Sequence, residues 1–180
     1  MKFGAFILII FSCVAFILSG YHIFLVYTHP FNFKNEILAC SQKHSFAPEL
    51  IASIINVESS FNEKARSNKD AIGLMQIKLT TANYVSNLNQ QNEITENELF
   101  KPAINIELGC QYLNYLVKKF KDIDTSLAAY NAGETRVRSW LNSGIYSTDG
   151  IKLSYIPFKE TREYVEKINK NIRFYKKYFQ

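Results

Sequence analysis

The sequence predicts an all-α domain preceded by a transmembrane helix, and three observations carry that prediction. No stretch of any length alternates apolar and polar residues as a half-buried strand would, whereas apolar residues recur at helical spacing in several separate windows. Of 180 residues, 47% are hydrophobic and 14% aromatic, with only 7 Gly and 4 Pro, so the chain can bury a sizeable core and has no low-complexity character. Finally, residues 3–27 contain no Asp, Glu, Lys or Arg.

Phe3 to Tyr27 reads FGAFILIIFSCVAFILSGYHIFLVY. As a helix it would span about 37 Å, enough to cross a bilayer. A cleaved leader would have a shorter apolar run followed by a small-x-small site, but here Ile23 to Val26 continue past Ser19 and Gly20. An uncleaved anchor with a short connector is expected over 1–30, and one domain over 31–180.

Within the domain, Ser45 is expected to cap a helix that has Pro48 in its first turn and ends near Ser59 or Ser60. A second helix follows from about Thr80 to Leu88, and NQQNEITENE reads as a loop. Ile106, Gly109, Cys110, Leu113, Leu116, Val117 and Phe120 then form an amphipathic stripe of several turns, with Gly109 predicting close contact with another helix. Asp124 or Thr125 should cap a short helix ending at Gly133. Glu134 or Thr135 starts another through Trp140, and a last helix covers roughly Lys159 to Tyr178.

The formal charge is +5, much of it on Lys167, Lys170, Arg173, Lys176 and Lys177. These alternate with Ile168, Ile172 and Phe179 and no nucleic-acid motif accompanies them, so they read as a solvated helix face and nucleic acid is not an expected partner. His22, His29 and His44 are isolated without metal-ligand spacing, so neither metal nor cofactor is expected. Cys13, Cys40 and Cys110 form no CxxC pair and are expected as buried free thiols. A Cys40–Cys110 bridge stays open only for a domain outside the cytoplasm.

Ile51, Ile54, Ile55 and Glu58 lie at i, i+3, i+4 and i+7, which sets the glutamate on the face the helix buries. A carboxyl group there is partly desolvated, and desolvation favours its protonated form, the profile of a general acid. The same spacing is also compatible with a helix-terminal glutamate turned to solvent or paired with Lys64 or Arg66.

From Glu58 the pattern E-S-x-F-N-x-x-A-x-S, then A-x-G-L-M-Q-I and Thr81-Ala82, resembles the first motif of the soluble-lytic-transglycosylase (SLT) domain family. Ile104-Asn105-Ile106 with Gly109, Tyr112-Leu113 and Leu116 resembles the second. Ser126 to Gly133, SLAAYNAG, with Val137 and Trp140 resembles the third, and Ile156-Pro157-Phe158 with Glu160-Thr161, Tyr164 and Val165 the last helix. The resemblance runs from about Asn32 to Phe174. It implies a lysozyme-like fold whose groove accepts peptidoglycan glycan strands, and cleavage of the β-1,4 bond between N-acetylmuramic acid and N-acetylglucosamine without added water. Glu58 matches the single catalytic acid. Ser67, Gln76, Ala129, Tyr130 and Glu160 match substrate-binding positions, with the Tyr130 hydroxyl near the substrate's acetamido group. Such a substrate places the domain on the cell-wall side of the bacterial cytoplasmic membrane, held there by the N-terminal helix; no protein partner is indicated.

Three residues depart from the family pattern: Asp70 stands for a usual glycine, Lys78 for a methionine and Leu79 for a proline. Aspartate is among the better residues where φ is positive. Two other functions compete. A hydrolytic muramidase of goose-lysozyme type would gain ground if Asp70 faced Glu58 across the groove, and a wall-binding scaffold would keep the groove without turnover.

Overall fold

The computed structural model describes residues 10–21, 24 and 30–179. Most of the predicted anchor lies outside the described residues; of it, residues 10–21 are helical and exposed. No helix among the described residues is long and apolar enough to cross a membrane. The chain divides into two units, Met1–Asn32 and Phe33–Gln180.

The second unit is mostly helical: α1 Lys34–His44, α2 Pro48–Ser59, α3 Leu79–Leu88, α4 Glu96–Leu99, α5 Pro102–Phe120, α6 Ile123–Ala132, α7 Glu134–Asn142 and α8 Lys159–Tyr175, followed by a 3-10 turn Lys176–Tyr178. The all-α expectation needs one correction. A small antiparallel hairpin, β1 Ala71–Ile72 and β2 Ile77–Lys78, pairs Ala71 with Lys78 and Ile72 with Ile77. Strands of two residues are too short to show any alternation.

Helix α2 lies at the centre. Leu50, Ile51, Ala52, Ile54 and Ile55 are all buried, so it is apolar around most of its circumference. It packs against α8, whose Thr161, Tyr164, Val165 and Ile168 are buried at helical spacing. Asn171 donates to the Asn56 side chain at 2.7 Å across this interface, so neither buried amide is left unsatisfied. Helix α5 packs against α1, α3 and α6 and closes the core from the other side.

Several local expectations change for identifiable reasons. Ser45 does not begin α2; it ends α1 in a left-handed conformation (φ 59), and Ala47 precedes Pro48. The cap of α6 is Asp122, whose side chain accepts from the Thr125 backbone N–H at 2.8 Å, rather than Asp124 or Thr125. At Gly109, where close contact with another helix was expected, the nearest group is a side chain of the hairpin turn. A Cβ there would collide with the Met75 side chain, so the glycine makes room for the hairpin turn. Cys40 and Cys110, expected as thiols, are joined in a disulfide linking α1 to α5; packing of these two helices brings together sulfurs 70 residues apart in the chain. Cys13 is free and exposed.

Candidate active site

The hairpin turn forms one wall of a cleft, and three side chains hold that turn. Asn105 of α5, 1% exposed, accepts from the Met75 backbone N–H at 2.8 Å and donates to the carbonyls of Ile72 (2.9 Å) and Leu99 (2.8 Å). Ser59, the last residue of α2, donates to the Leu74 carbonyl at 2.8 Å, and the Tyr130 hydroxyl donates to the Met75 carbonyl at 2.8 Å. Gly73 (φ 74) starts the turn where a Cβ would strike Asn105 and the Leu99 carbonyl.

Glu58 lies on the last turn of α2 where the cleft passes over it. To one side is a space of about 540 Å³ lined by residues including Ser67, Gln76, Lys78, Tyr112, Tyr130 and Glu160. To the other is a space of about 480 Å³ bounded by α8; Glu58, Asn131 and Glu160 line both. The Tyr164 hydroxyl donates to Glu58 Oε1 at 2.7 Å. Burial pushes the Glu58 carboxyl up to about 7, against the opposing pull of the Tyr164 hydrogen bond. Glu58 faces the cleft and takes Tyr164 as its partner, pairing with neither Lys64 nor Arg66 among the described residues; Arg66 is engaged by Glu96 and Asp70.

Groups around Glu58 keep polar atoms available to a ligand. Ser67 Oγ accepts from the backbone N–H of Lys69 and Ala71, leaving its hydrogen uncommitted among the described residues. The Gln76 amide donates to the Ala65 and Gly73 carbonyls and its oxygen takes no hydrogen bond among them. Asn131 accepts from Thr161 Oγ1 at 2.8 Å, which leaves its amide hydrogens for the cleft. Burial, then the nearby Glu58 charge, raise the Tyr130 and Tyr164 phenols well above their ordinary value, so both stay protonated donors. Among the described residues no group of three or more His, Cys, Asp or Glu could hold a metal ion.

Residues 36–148 match the family model of the transglycosylase SLT domain. The chain belongs to the SLT domain family. The soluble lytic murein transglycosylase of Escherichia coli is 38% identical over 130 residues, which is 71% of this chain and 20% of that protein. The membrane-bound lytic murein transglycosylase E of Buchnera aphidicola is 40% identical over 94 residues, 51% of this chain and 42% of the relative. Among solved structures, an inactive mutant of the lytic transglycosylase Slt from Pseudomonas aeruginosa superposes with a TM-score of 0.76 at 28% identity, covering 86% of this chain and 25% of that one. The 70-kDa soluble lytic transglycosylase of Escherichia coli gives a TM-score of 0.73, also at 28% identity, over 84% of this chain and 25% of the other. The chain thus spans about a quarter or less of the soluble enzymes it matches, and the fold is the mostly helical, lysozyme-like one of the SLT domain.

Of the SLT positions singled out in the sequence, Glu58, Ser67, Gln76, Tyr130 and Glu160 all line the cleft. Ala129 does not. It is fully buried behind the cleft, where its carbonyl accepts from the Gly133 N–H that ends α6. Asp70 has the positive φ (58) that its replacement of a glycine implied, but it pairs with Arg66 at 3.0 Å and lines neither side of the cleft. Sequence reasoning missed Tyr164 and Asn131. The Thr161, Tyr164, Val165, Ile168 spacing would have placed Tyr164 on the buried face of α8, and Asn131 lies within the SLAAYNAG motif, which singled out its neighbours and not it.

Proposed function

We propose that this chain is a peptidoglycan lytic transglycosylase that cleaves the bond between N-acetylmuramic acid and N-acetylglucosamine and leaves a 1,6-anhydro end. The observation carrying this reading is Glu58, a carboxyl group that burial keeps about half protonated at neutral pH, at the floor of a cleft long enough to open on both sides of it. In the first step Glu58 protonates the glycosidic oxygen and the C1–O bond breaks. In the second, the carboxylate takes the proton from the sugar's own C6 hydroxyl, whose oxygen bonds to C1; the proton returns to Glu58 and no water is consumed. Tyr164 holds the carboxyl through both steps. The Tyr130 hydroxyl has spent its hydrogen on Met75 and can only accept, which suits it to the acetamido N–H. Ser67 and Gln76 bind sugar substituents, and Glu160 contacts the glycan from α8.

Hydrolysis is less well supported, because Asp70 turns outward to Arg66. Mass spectrometry of products from purified sacculi separates the two: anhydro ends weigh one water less than reducing ends, and hydrated ends alone would reject transglycosylation. Zymography of the parent beside Glu58→Gln separates an enzyme from a binding scaffold, which would never clear the gel. We also propose that residues 1–30 anchor the domain on the wall side of the membrane. The uncharged run of residues 3–27 supports the anchor, and the Cys40–Cys110 disulfide supports an oxidising location. Resistance of the full chain to extraction from membranes by alkaline carbonate tests the anchor.

A further inference from the structure

The charges of the cleft are unevenly placed. On the hairpin side, Lys69 and Lys78 both line it. Lys78 pairs with Ala71 at the end of the hairpin, two residues after Lys69, and both lysines line the same space. Neither pairs with a carboxylate among the described residues, and Asp70, beside Lys69 in the chain, is drawn away to Arg66. On the other side of Glu58 the cations are matched: Lys159 lies 3.7 Å from Glu163, and Lys167 lines the same space as Glu163, while Glu160 lines both sides. The titration of Glu58 is governed by burial and Tyr164, with no contribution from either hairpin lysine. Their charges are therefore not there to tune the acid.

Cations lining a concave surface raise the local concentration of anions. A glycan strand whose lactyl groups are all amide-linked to peptide has no charge on its sugars. Its negative charges sit on the peptide attached through the lactyl group, as carboxylates. We propose that Lys69 and Lys78 form a subsite for the carboxylates of the stem peptide, so that the cleft prefers strands whose stems carry free carboxylates over strands whose stems are amidated. This rests on the reading that the cleft binds peptidoglycan. The side-chain ammonium groups are exposed, so each contact is worth only a few-fold in affinity, and the pair together gives a preference of about fivefold that declines with salt.

The test uses three forms of one short glycan strand: with free-carboxylate stems, with the same stems amidated, and with stems removed by an amidase, which leaves a lactyl carboxylate on each muramic acid. Dissociation constants are measured on the full chain carrying Glu58→Gln, and kcat/KM on the chain with Glu58 intact. The expected result is a preference for free carboxylates that vanishes in Lys69→Gln/Lys78→Gln and returns in part with Lys78→Arg. A ratio of free to amidated strands unchanged by the double substitution would overturn the proposal, as would equal weakening on all three strands. Because the binding arm does not depend on turnover, products with hydrated ends would reject transglycosylation while leaving the lysine subsite standing or falling on its own ratio.

Discussion

At position 58 a glutamate keeps a proton that it would have lost in water. Its folded-state value of about 7 stands above the ordinary 4.5 because the charged form is desolvated. Below 4.5 both the folded and unfolded chains hold the proton and nothing is lost. Between 4.5 and 7 the unfolded chain ionises first, so stability falls as pH rises, by roughly 3 kcal/mol once pH exceeds 7. Glu58→Gln mimics the protonated form. It should abolish lysis yet melt higher than the parent at pH 8, with the two curves converging near pH 4; a parent that is the more stable at pH 8 would show the carboxylate to be welcome there. Activity through a protonated acid should fall as pH rises above about 7 in the kcat/KM profile. Tyr164→Phe removes the hydrogen bond that opposes burial, so the alkaline limb should move to higher pH, by one to two pH units for a bond to a charged group of about 1.5 to 3 kcal/mol. The maximum rate should drop at the same time. An unmoved limb would mean that Tyr164 only fills space. The sequence revealed Glu58 through its helical spacing from three isoleucines together with the family motif that begins at it. It concealed Tyr164 because the contact joins residues 106 apart, and periodicity reports which face is buried without saying against what.

Among the elements, helices with an apolar stripe or clear start and stop residues were legible, whereas α1, the single turn of α4 and the hairpin were not. Helix α5 shows its stripe from Ile106 to Phe120 plainly, whereas α1 (KNEILACSQKH) buries only Ile37, Cys40 and Ser41 and has no stripe to find. Its ends are set by Phe33 and Ser45, both left-handed, which no propensity would foretell. The hairpin escaped notice because its stability does not come from strand pairing. It is held by side chains from α2, α5 and α6, with Asn105 providing the bonds to Ile72, Met75 and Leu99 together. Asn105→Ala would leave a buried N–H and two carbonyls without partners, at a cost of about 3 kcal/mol. It should lower the urea midpoint and, at urea concentrations where the protein is still folded, reduce turnover, since Gln76 sits on that turn and Ser67 is bonded to Ala71 at the start of the hairpin. Loss of stability with turnover intact would show that the wall does not depend on Asn105.

Over the whole molecule, the cleft is assembled from segments that meet only when the chain is folded: α2 brings Glu58, the hairpin brings Gln76, α6 brings Tyr130 and α8 brings Glu160 and Tyr164. The stretch that matches the family, 36–148, ends before α8, so part of the site lies in a segment that the family match does not cover. One covalent bond bears on this assembly, and the spacing of three cysteines could not reveal it. Cys40–Cys110 closes a loop with a sequence separation of 70, and in the chain-entropy picture such a closure destabilises the unfolded state by about 4 kcal/mol. Replacing both cysteines by alanine should therefore lower the melting temperature by about 12 °C for a domain near 150 residues. Both sulfurs are buried, 2% and 0% exposed, so reductant reaches them only in opened molecules and the double substitution is the cleaner comparison. Neither cysteine lines the cleft, and turnover well below the melting range should follow the parent. If the parent and the double variant melt together, and the parent's thiols react with an alkylating agent once unfolded without reductant, the bond does not form in the protein and the support it lends to an oxidising location goes with it.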